Sequence, residues 1–381
     1  MAKIAERITL IERELASGGD ASVTKNLALK LKSEGRTVAV LCTGGPAEKE
    51  LGDRGINTII YPGGPAPWLF WRRWPVLAKL KEFKPDLLHA QTHSLARFVR
   101  ELAVALNTPY LVTVNRYFAK ASELPMNRRL LSGLIAVSET LREALVNGLK
   151  VPKDRVHLIP SGVEMATFKR IQRRYAVMLT ASEKSLGEPE DHAEEPGQLN
   201  GHLPVIGMIA PMEKERGHGS FMRAAQIVRQ SFPKAQFLLA GRGSELKHFR
   251  RTARQLGLAE HLTFVDYVEN RVQLLSAMDI FAMPAVEEEH SVTILEAMAA
   301  GRPVVASGVG GIYSIVRDRK TGLIVPRQDA NALAQALLEL LKDSDLAKEL
   351  AQNALEMVES EYSQANQFQQ IFKAYDAAIE R

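Results

Sequence analysis

A rhythm that runs, stops and starts again limits this chain's fold more than any other feature. Short apolar runs alternate with amphipathic segments. Ile8–Ile11, Thr37–Cys42, Thr58–Tyr61, Asp86–Ala90, Tyr110–Val114, Leu134–Val137 and Val156–Ile159 read as strands. The segments between them read as helices, of which Ala21–Glu34, closed by Gly35, is the clearest. Glu183–Asn200 then breaks the pattern with Glu, Pro, Gly, Ser and His and almost no large apolar residue. From Val205 the rhythm resumes, through Val205–Ile209, Gln236–Ala240, Thr263–Val265, Ile280–Met283, Val304–Ala306 and Gly322–Val325. Alternating strand and helix predicts a parallel, doubly wound α/β sheet, and doing so twice predicts two such domains with a cleft between them. The expected boundaries are 1–168 for the first domain, 169–203 for a linker or insertion and 204–362 for the second. Ser363–Arg381 is a further amphipathic helix, expected to pack back on the first domain.

A length of 381 residues agrees with two domains, being too great for one ordinary core. The first nineteen residues are interrupted by Glu6, Arg7, Glu12, Arg13 and Glu14, which argues against a secretory signal. No run of about twenty apolar residues exists to span a membrane. The single Cys42 lies in an apolar strand pattern and is expected to be buried, consistent with a cytoplasmic location. The nine histidines show no metal-ligand spacing, so neither a metal nor another cofactor is expected. The net charge of +5 is unevenly spread. Residues 1–168 hold 24 Lys and Arg against 16 Asp and Glu, so the basic excess lies wholly in the first half. That points to an anionic partner there, a membrane surface or an anionic substrate.

The stretch Glu287–Val305 carries the most chemistry. An acidic loop runs into a short apolar helix that holds one carboxylate, Glu296, among Ile294, Leu295, Ala297, Met298 and Ala299. Burying a lone carboxylate is costly, so Glu296 is expected to face a cleft and hold hydroxyl groups. The loop Ser291-Val292-Thr293 would open the helix, where free backbone N–H groups and the helix dipole favour an anion.

With these motifs the chain resembles the group 1 glycosyltransferases of family four, retaining enzymes with two Rossmann-like domains in the GT-B fold. The resemblance covers nearly the whole chain. It rests on Gly18-Gly19 after the first strand, Lys84–Gln91 (KPDLLHAQ), Leu134–Leu145, Val156–Phe168, Met278–Ile312 and Thr321–Pro326. It implies a nucleotide-sugar donor, linked to UDP, GDP or ADP, bound against the second domain. Glu296 would bind the ribose hydroxyls, Glu288 the transferred sugar, and Ser291, Val292 and Thr293 the diphosphate. Gly18 and Gly19 would let backbone approach the phosphate, since no side chain blocks it. Gly241 and Arg242 match the family's Gly-x-Gly loop near the nucleotide, and the backbone of Tyr267 and Val268 matches the segment that reads the base.

Three positions depart from the family pattern. Where an Arg and a Lys commonly clamp the diphosphate, this chain has Pro211 and Arg216. Arg216 can serve as a planar phosphate clamp, and Lys214 is a candidate replacement for the lost charge. Asn115 stands where relatives often place a catalytically important His; Asn can orient a hydroxyl but transfers no proton near neutral pH. Tyr313-Ser314 replaces a common Pro-Glu. His89 and His93 end a strand, where either could contact an acceptor or serve a structural purpose.

The three tryptophans fall within Trp68–Trp74, interleaved with Arg72 and Arg73. Trp68, Trp71, Arg72, Arg73 and Trp74 suit a membrane–water interface, with basic groups to attract anionic headgroups. The expected protein is therefore a retaining hexosyltransferase at the inner face of the cell membrane. It would act on a lipid-linked or glycan acceptor, as in lipopolysaccharide or envelope glycan assembly, and bind no nucleic acid. Two alternatives stay open: a transferase with a soluble acceptor, and an impaired protein on this fold that binds or scaffolds.

Overall fold

The computed structural model describes residues 4–15, 19–61, 74–116, 124–168, 203–266, 271–288 and 291–380. The chain forms two compact units, Met1–Gly162 with Ala365–Arg381, and Val163–Gln364. Most of the segment expected to be a linker, 169–202, lies outside the described residues, as does most of the aromatic run, 62–73.

The first unit contains one seven-stranded parallel sheet. Its strands are β1 (Arg7–Ile11), β2 (Thr37–Cys42), β3 (Asn57–Ile60), β4 (Leu87–Ala90), β5 (Tyr110–Val114), β6 (Leu131–Ala136) and β7 (Val156–Leu158), in the order β3-β2-β1-β4-β5-β6-β7. The second unit has six: β8 (Val205–Ile209), β9 (Gln236–Ala240), β10 (Leu262–Val265), β11 (Ile280–Met283), β12 (Val304–Ser307) and β13 (Leu323–Val325), in the order β10-β9-β8-β11-β12-β13. Both are the expected doubly wound α/β architecture. Strands such as β4, β8, β11 and β12 are buried along their whole length, because helices cover both faces of a parallel sheet. That is why they read as continuous apolar runs rather than as alternating ones.

In each sheet the strand order reverses once, between β1 and β4 and between β8 and β11. Loops at the carboxyl ends of the strands flanking such a point diverge, and α/β proteins place ligands there.

The last helix, Gln364–Glu380, belongs to the first unit. It buries Phe368, Ile371, Ala374, Tyr375 and Ala378 beside Ile8, Leu10, Val38 and Val40. Phe368 and Ile371 each contribute about 1.5–3 kcal/mol by leaving water, and the alanines less. Polar contacts fix its register: Ser132 Oγ donates to the Ala378 carbonyl at 3.0 Å, and Arg36 pairs with Asp376 at 3.0 Å. His89 is buried in the same seam, 2.6 Å from the Tyr375 hydroxyl and 2.9 Å from Thr113 Oγ1. Burial pushes its pKa down to about 3, so it is a neutral fastener of the helix. Cys42 is buried too. The turn Met165–Phe168, expected to close the first domain, packs in the second: Val163 and Phe168 join its core.

Candidate functional site

In the second unit the loops after β8 and β11 flank the point of strand reversal, and they are tied together by backbone. Val286 N–H donates to the Glu215 carbonyl at 2.7 Å. Gly217, at φ +84°, passes so close that an added Cβ would lie 1.7 Å from the Pro284 carbonyl oxygen. Only glycine fits that crossing. It brings Arg216 onto Glu288, with guanidinium and carboxylate 2.5 Å apart and side chains 16% and 14% exposed. A pair this desolvated is weak as a source of stability, since the cost of taking two charges out of water offsets their attraction. Holding it on two loops is better explained by a ligand that uses both charges.

Glu288 is fixed from the other side as well, its carbonyl accepting from Gly311 N–H at 3.2 Å. The chain then enters helix Val292–Ala299. Ser291 caps it, its Oγ accepting from Ile294 N–H at 3.3 Å, which leaves the N–H groups of Val292 and Thr293 with no acceptor inside the helix. Glu296 sits about 7 Å down the helix axis from Ser291. It is 8% exposed.

Glu296 is not alone, as its surroundings in sequence suggested. Arg271, which opens helix Arg271–Ser276, places Nη2 2.8 Å from Glu296 Oε1. Burial raises the carboxyl to about 7 against the opposing pull of that guanidinium. Even so, among the described residues Glu296 Oε2 has no hydrogen-bond partner, and neither have Arg216 Nε and His218 Nε2. Orphaned buried polar atoms are rare in folded proteins. Three of them beside one strand reversal mark a place built to receive polar groups from outside. His218 is neutral there, its pKa lowered to about 4 chiefly by burial, and it stacks on Phe249.

The remaining expected residues divide. Lys214 is exposed at the start of the 3-10 turn Lys214–Arg216. The Gly-x-Gly loop after β9 lies against the loop after β8, where Met212 N–H donates to the Arg242 carbonyl at 2.8 Å. Gly241, at φ +147°, has room for no Cβ, which would lie 2.0 Å from the Ala210 carbonyl oxygen. This glycine therefore serves loop packing, while Arg242 is exposed. Tyr267 and Val268 lie outside the described residues. In the first unit Asn115 follows β5 and accepts a hydrogen bond from Thr92 Oγ1, after β4, at 3.1 Å. His93 opens the 3-10 turn His93–Leu95. Gly19 is the first residue of helix Gly19–Ser33. Gly18 lies outside the described residues, as do Trp68, Trp71, Arg72 and Arg73, while Trp74 begins helix Trp74–Phe83. Arg271 had escaped the sequence reading, since it stands 25 positions before its partner in an ordinary amphipathic segment.

The chain matches two family models. Residues 17–167 match that described as Glycosyltransferase Family 4, and residues 203–343 that described as Glycosyl transferases group 1. Among curated relatives, the D-inositol 3-phosphate glycosyltransferase of Corynebacterium urealyticum is 32% identical over 180 residues, 45% of this chain and 42% of the relative. The chain spans about two fifths to two thirds of the length of the curated relatives it matches. Among solved structures, a glycosyltransferase from Rickettsia africae superposes with a TM-score of 0.78 at 20% identity, covering 99% of both chains. Anabaena Alr3699/HepE, solved in complex with UDP and glucose, gives 0.77 at 17% identity, covering 97% of this chain and 98% of that one. These likenesses extend over both units and are likenesses of fold.

Proposed function

We propose a donor, a chemistry and an acceptor class for this chain, which belongs to the group 1 glycosyltransferases and has the GT-B fold. It transfers a sugar from a nucleoside diphosphate to an acceptor hydroxyl, with retention at the anomeric carbon. The observation that carries the reading is the Arg216–Glu288 pair, held where the loops after β8 and β11 cross. Arg216 and the N–H groups of Val292 and Thr293 at the helix start stabilise negative charge as the diphosphate departs. Glu288 accepts hydrogen bonds from the sugar, and Glu296 Oε2 from the ribose. Catalysis is then electrostatic and positional, with rigid donors aimed at charge that develops on the leaving group. Asn115, held by Thr92, orients the acceptor hydroxyl, and the departing phosphate takes its proton.

Thermal shift and calorimetry with UDP-, GDP- and ADP-sugars test the donor. One nucleotide series is expected to stabilise the protein, and binding is expected to be lost in Glu296→Ala. A folded sample that responds to none of the three would instead favour a scaffold.

For the acceptor, the aromatic and basic run Trp68–Trp74 supports a lipid-linked or glycan substrate reached at an anionic membrane surface, as in lipopolysaccharide or other envelope glycan assembly. Among the described residues no helix is long and apolar enough to cross a membrane, so contact would be peripheral. Wild-type protein is expected to float with anionic liposomes, and Trp71→Ala/Trp74→Ala to float severalfold less. Equal flotation would remove the membrane from the reading. A second reading, a small soluble acceptor, is favoured by relatives named for D-inositol 3-phosphate. Sugar transfer to soluble polyols by a protein that ignores liposomes would select it.

A further inference from the structure

Glu296 has two oxygens in different circumstances. Oε1 is 2.8 Å from Arg271 Nη2, whereas Oε2 is buried with no hydrogen-bond partner among the described residues. An ionised carboxylate accepts at both oxygens, so one side of this group is satisfied by the protein and the other is left vacant. Arg271 reaches it through the crossover that carries the chain from β10, at the sheet edge, back to β11 in its middle. Helix Arg271–Ser276 buries Leu275 in the core and leaves Arg271 22% exposed against the carboxylate.

We propose that Arg271 is a positioning residue of the donor site, holding the Glu296 carboxylate by Oε1 so that Oε2 is presented, charged, to a ribose hydroxyl. This rests on the reading of Glu296 given above. Arg271 acts through Glu296 and need not touch the nucleotide.

The charge environment leaves that work to Arg271. Helix Val292–Ala299 packs against β11, β12, the turn Met165–Phe168 and helices Arg271–Ser276 and Ser344–Glu361. The two strands and the turn contain no ionisable side chain. Helix Ser344–Glu361 packs through Leu350, Ala354, Met357 and Val358, while its Asp345, Lys348, Glu349, Glu356, Glu359 and Glu361 are exposed. Arg302, just before β12, is turned to the Ala300 and Met278 carbonyls, and Asp279, just before β11, accepts from Val205 N–H. Arg271 is thus the cation at Glu296 among the described residues. Without it, burial favours the neutral acid, which gives up a strong acceptor for a hydroxyl.

The test is calorimetry with UDP and 2′,3′-dideoxy-UDP, between about pH 6 and pH 9, on wild type, Arg271→Gln and Arg271→Lys. GDP and ADP pairs are run alongside, and the tightest series is used. Wild type is expected to prefer the ribose form about tenfold or more at neutral pH. Arg271→Gln is expected to lose most of that preference near pH 7 and regain it as pH rises, with dideoxy affinity unchanged. Arg271→Lys is expected to keep most of it, and thermal melts report whether each variant is folded. Equal weakening of both ligands, or an undiminished preference in Arg271→Gln, overturns the proposal. The reading of Glu296 itself fails by a different result: no ribose preference in wild type, together with wild-type UDP affinity in Glu296→Ala. No binding of any of the three nucleotides overturns both.

Discussion

Replacing Glu296 by glutamine is expected to weaken binding of the nucleoside diphosphate roughly 30-fold, about 2 kcal/mol, without lowering the melting temperature at pH 8. The two effects have one cause. Burial raises this carboxyl from its ordinary value of 4.5 to about 7, so the folded protein holds the proton more tightly than the unfolded chain. The sign follows from that: the charged group costs nothing at pH values below about 4.5, and its penalty grows as pH rises to 7 and above, reaching on the order of 3 kcal/mol. Glutamine carries no charge at any pH and still offers Arg271 a carbonyl oxygen. The variant should therefore melt no lower than wild type above pH 7, with the difference fading as the medium is made acidic. On the proposed reading, what it loses is the charged acceptor for ribose. Melting curves from pH 4.5 to pH 8, paired with titrations of UDP, GDP and ADP, check both halves. A variant that melts well below wild type at pH 8 and still binds nucleotide would show that Glu296 serves the fold.

That opposition between stability and binding explains which parts of the molecule could be read from its sequence. Strands were legible because parallel sheets buried on both faces demand uninterrupted apolar runs, and β2, β5, β8, β9 and β11 begin and end at the residues expected. β6 begins three residues earlier than its apolar run suggested, at Leu131, because Ser132 turns its hydroxyl to the C-terminal helix and Gly133 packs beside His157. Glu296 stood out because a carboxylate among apolar residues breaks a local rule, whereas Glu288, in an acidic loop, was marked only by the resemblance to the family pattern. Arg216 was marked by the family pattern, but its pairing with Glu288 was not, because a loop crossing makes it. Arg271 carried no mark at all, since it reaches Glu296 through a strand crossover and stands in an ordinary amphipathic segment. The Gly-x-Gly loop was recognised as a motif, but its first glycine is explained by contact with Ala210, something only the fold shows.

Arg216 carries the other large expected effect. On the proposed reading Pro211 takes the place of the arginine in the family pattern and Lys214 is exposed, which leaves Arg216, paired with Glu288, as the diphosphate clamp on this loop. Its loss should cost more than loss of one clamp of two. Arg216→Ala is expected to lower sugar transfer by roughly 10²–10³-fold, the scale of removing one preorganised donor from developing negative charge. Binding separates this from misfolding: affinity for UDP should fall while affinity for UMP, which lacks the second phosphate, should stay near wild type. Leaving Glu288 unpaired could weaken both loops, so Arg216→Met with Glu288→Gln removes both charges and repeats the comparison. Arg216→Lys keeps a cation and should hold activity within about tenfold, since a point charge stabilises phosphate without the planar fork. Adding Pro211→Arg to Arg216→Lys would then raise UDP affinity towards or above wild type, because a second cation faces the same diphosphate. An unchanged ratio of UDP to UMP affinity in Arg216→Ala would place the diphosphate elsewhere, and the pair with Glu288 would be a brace between two loops.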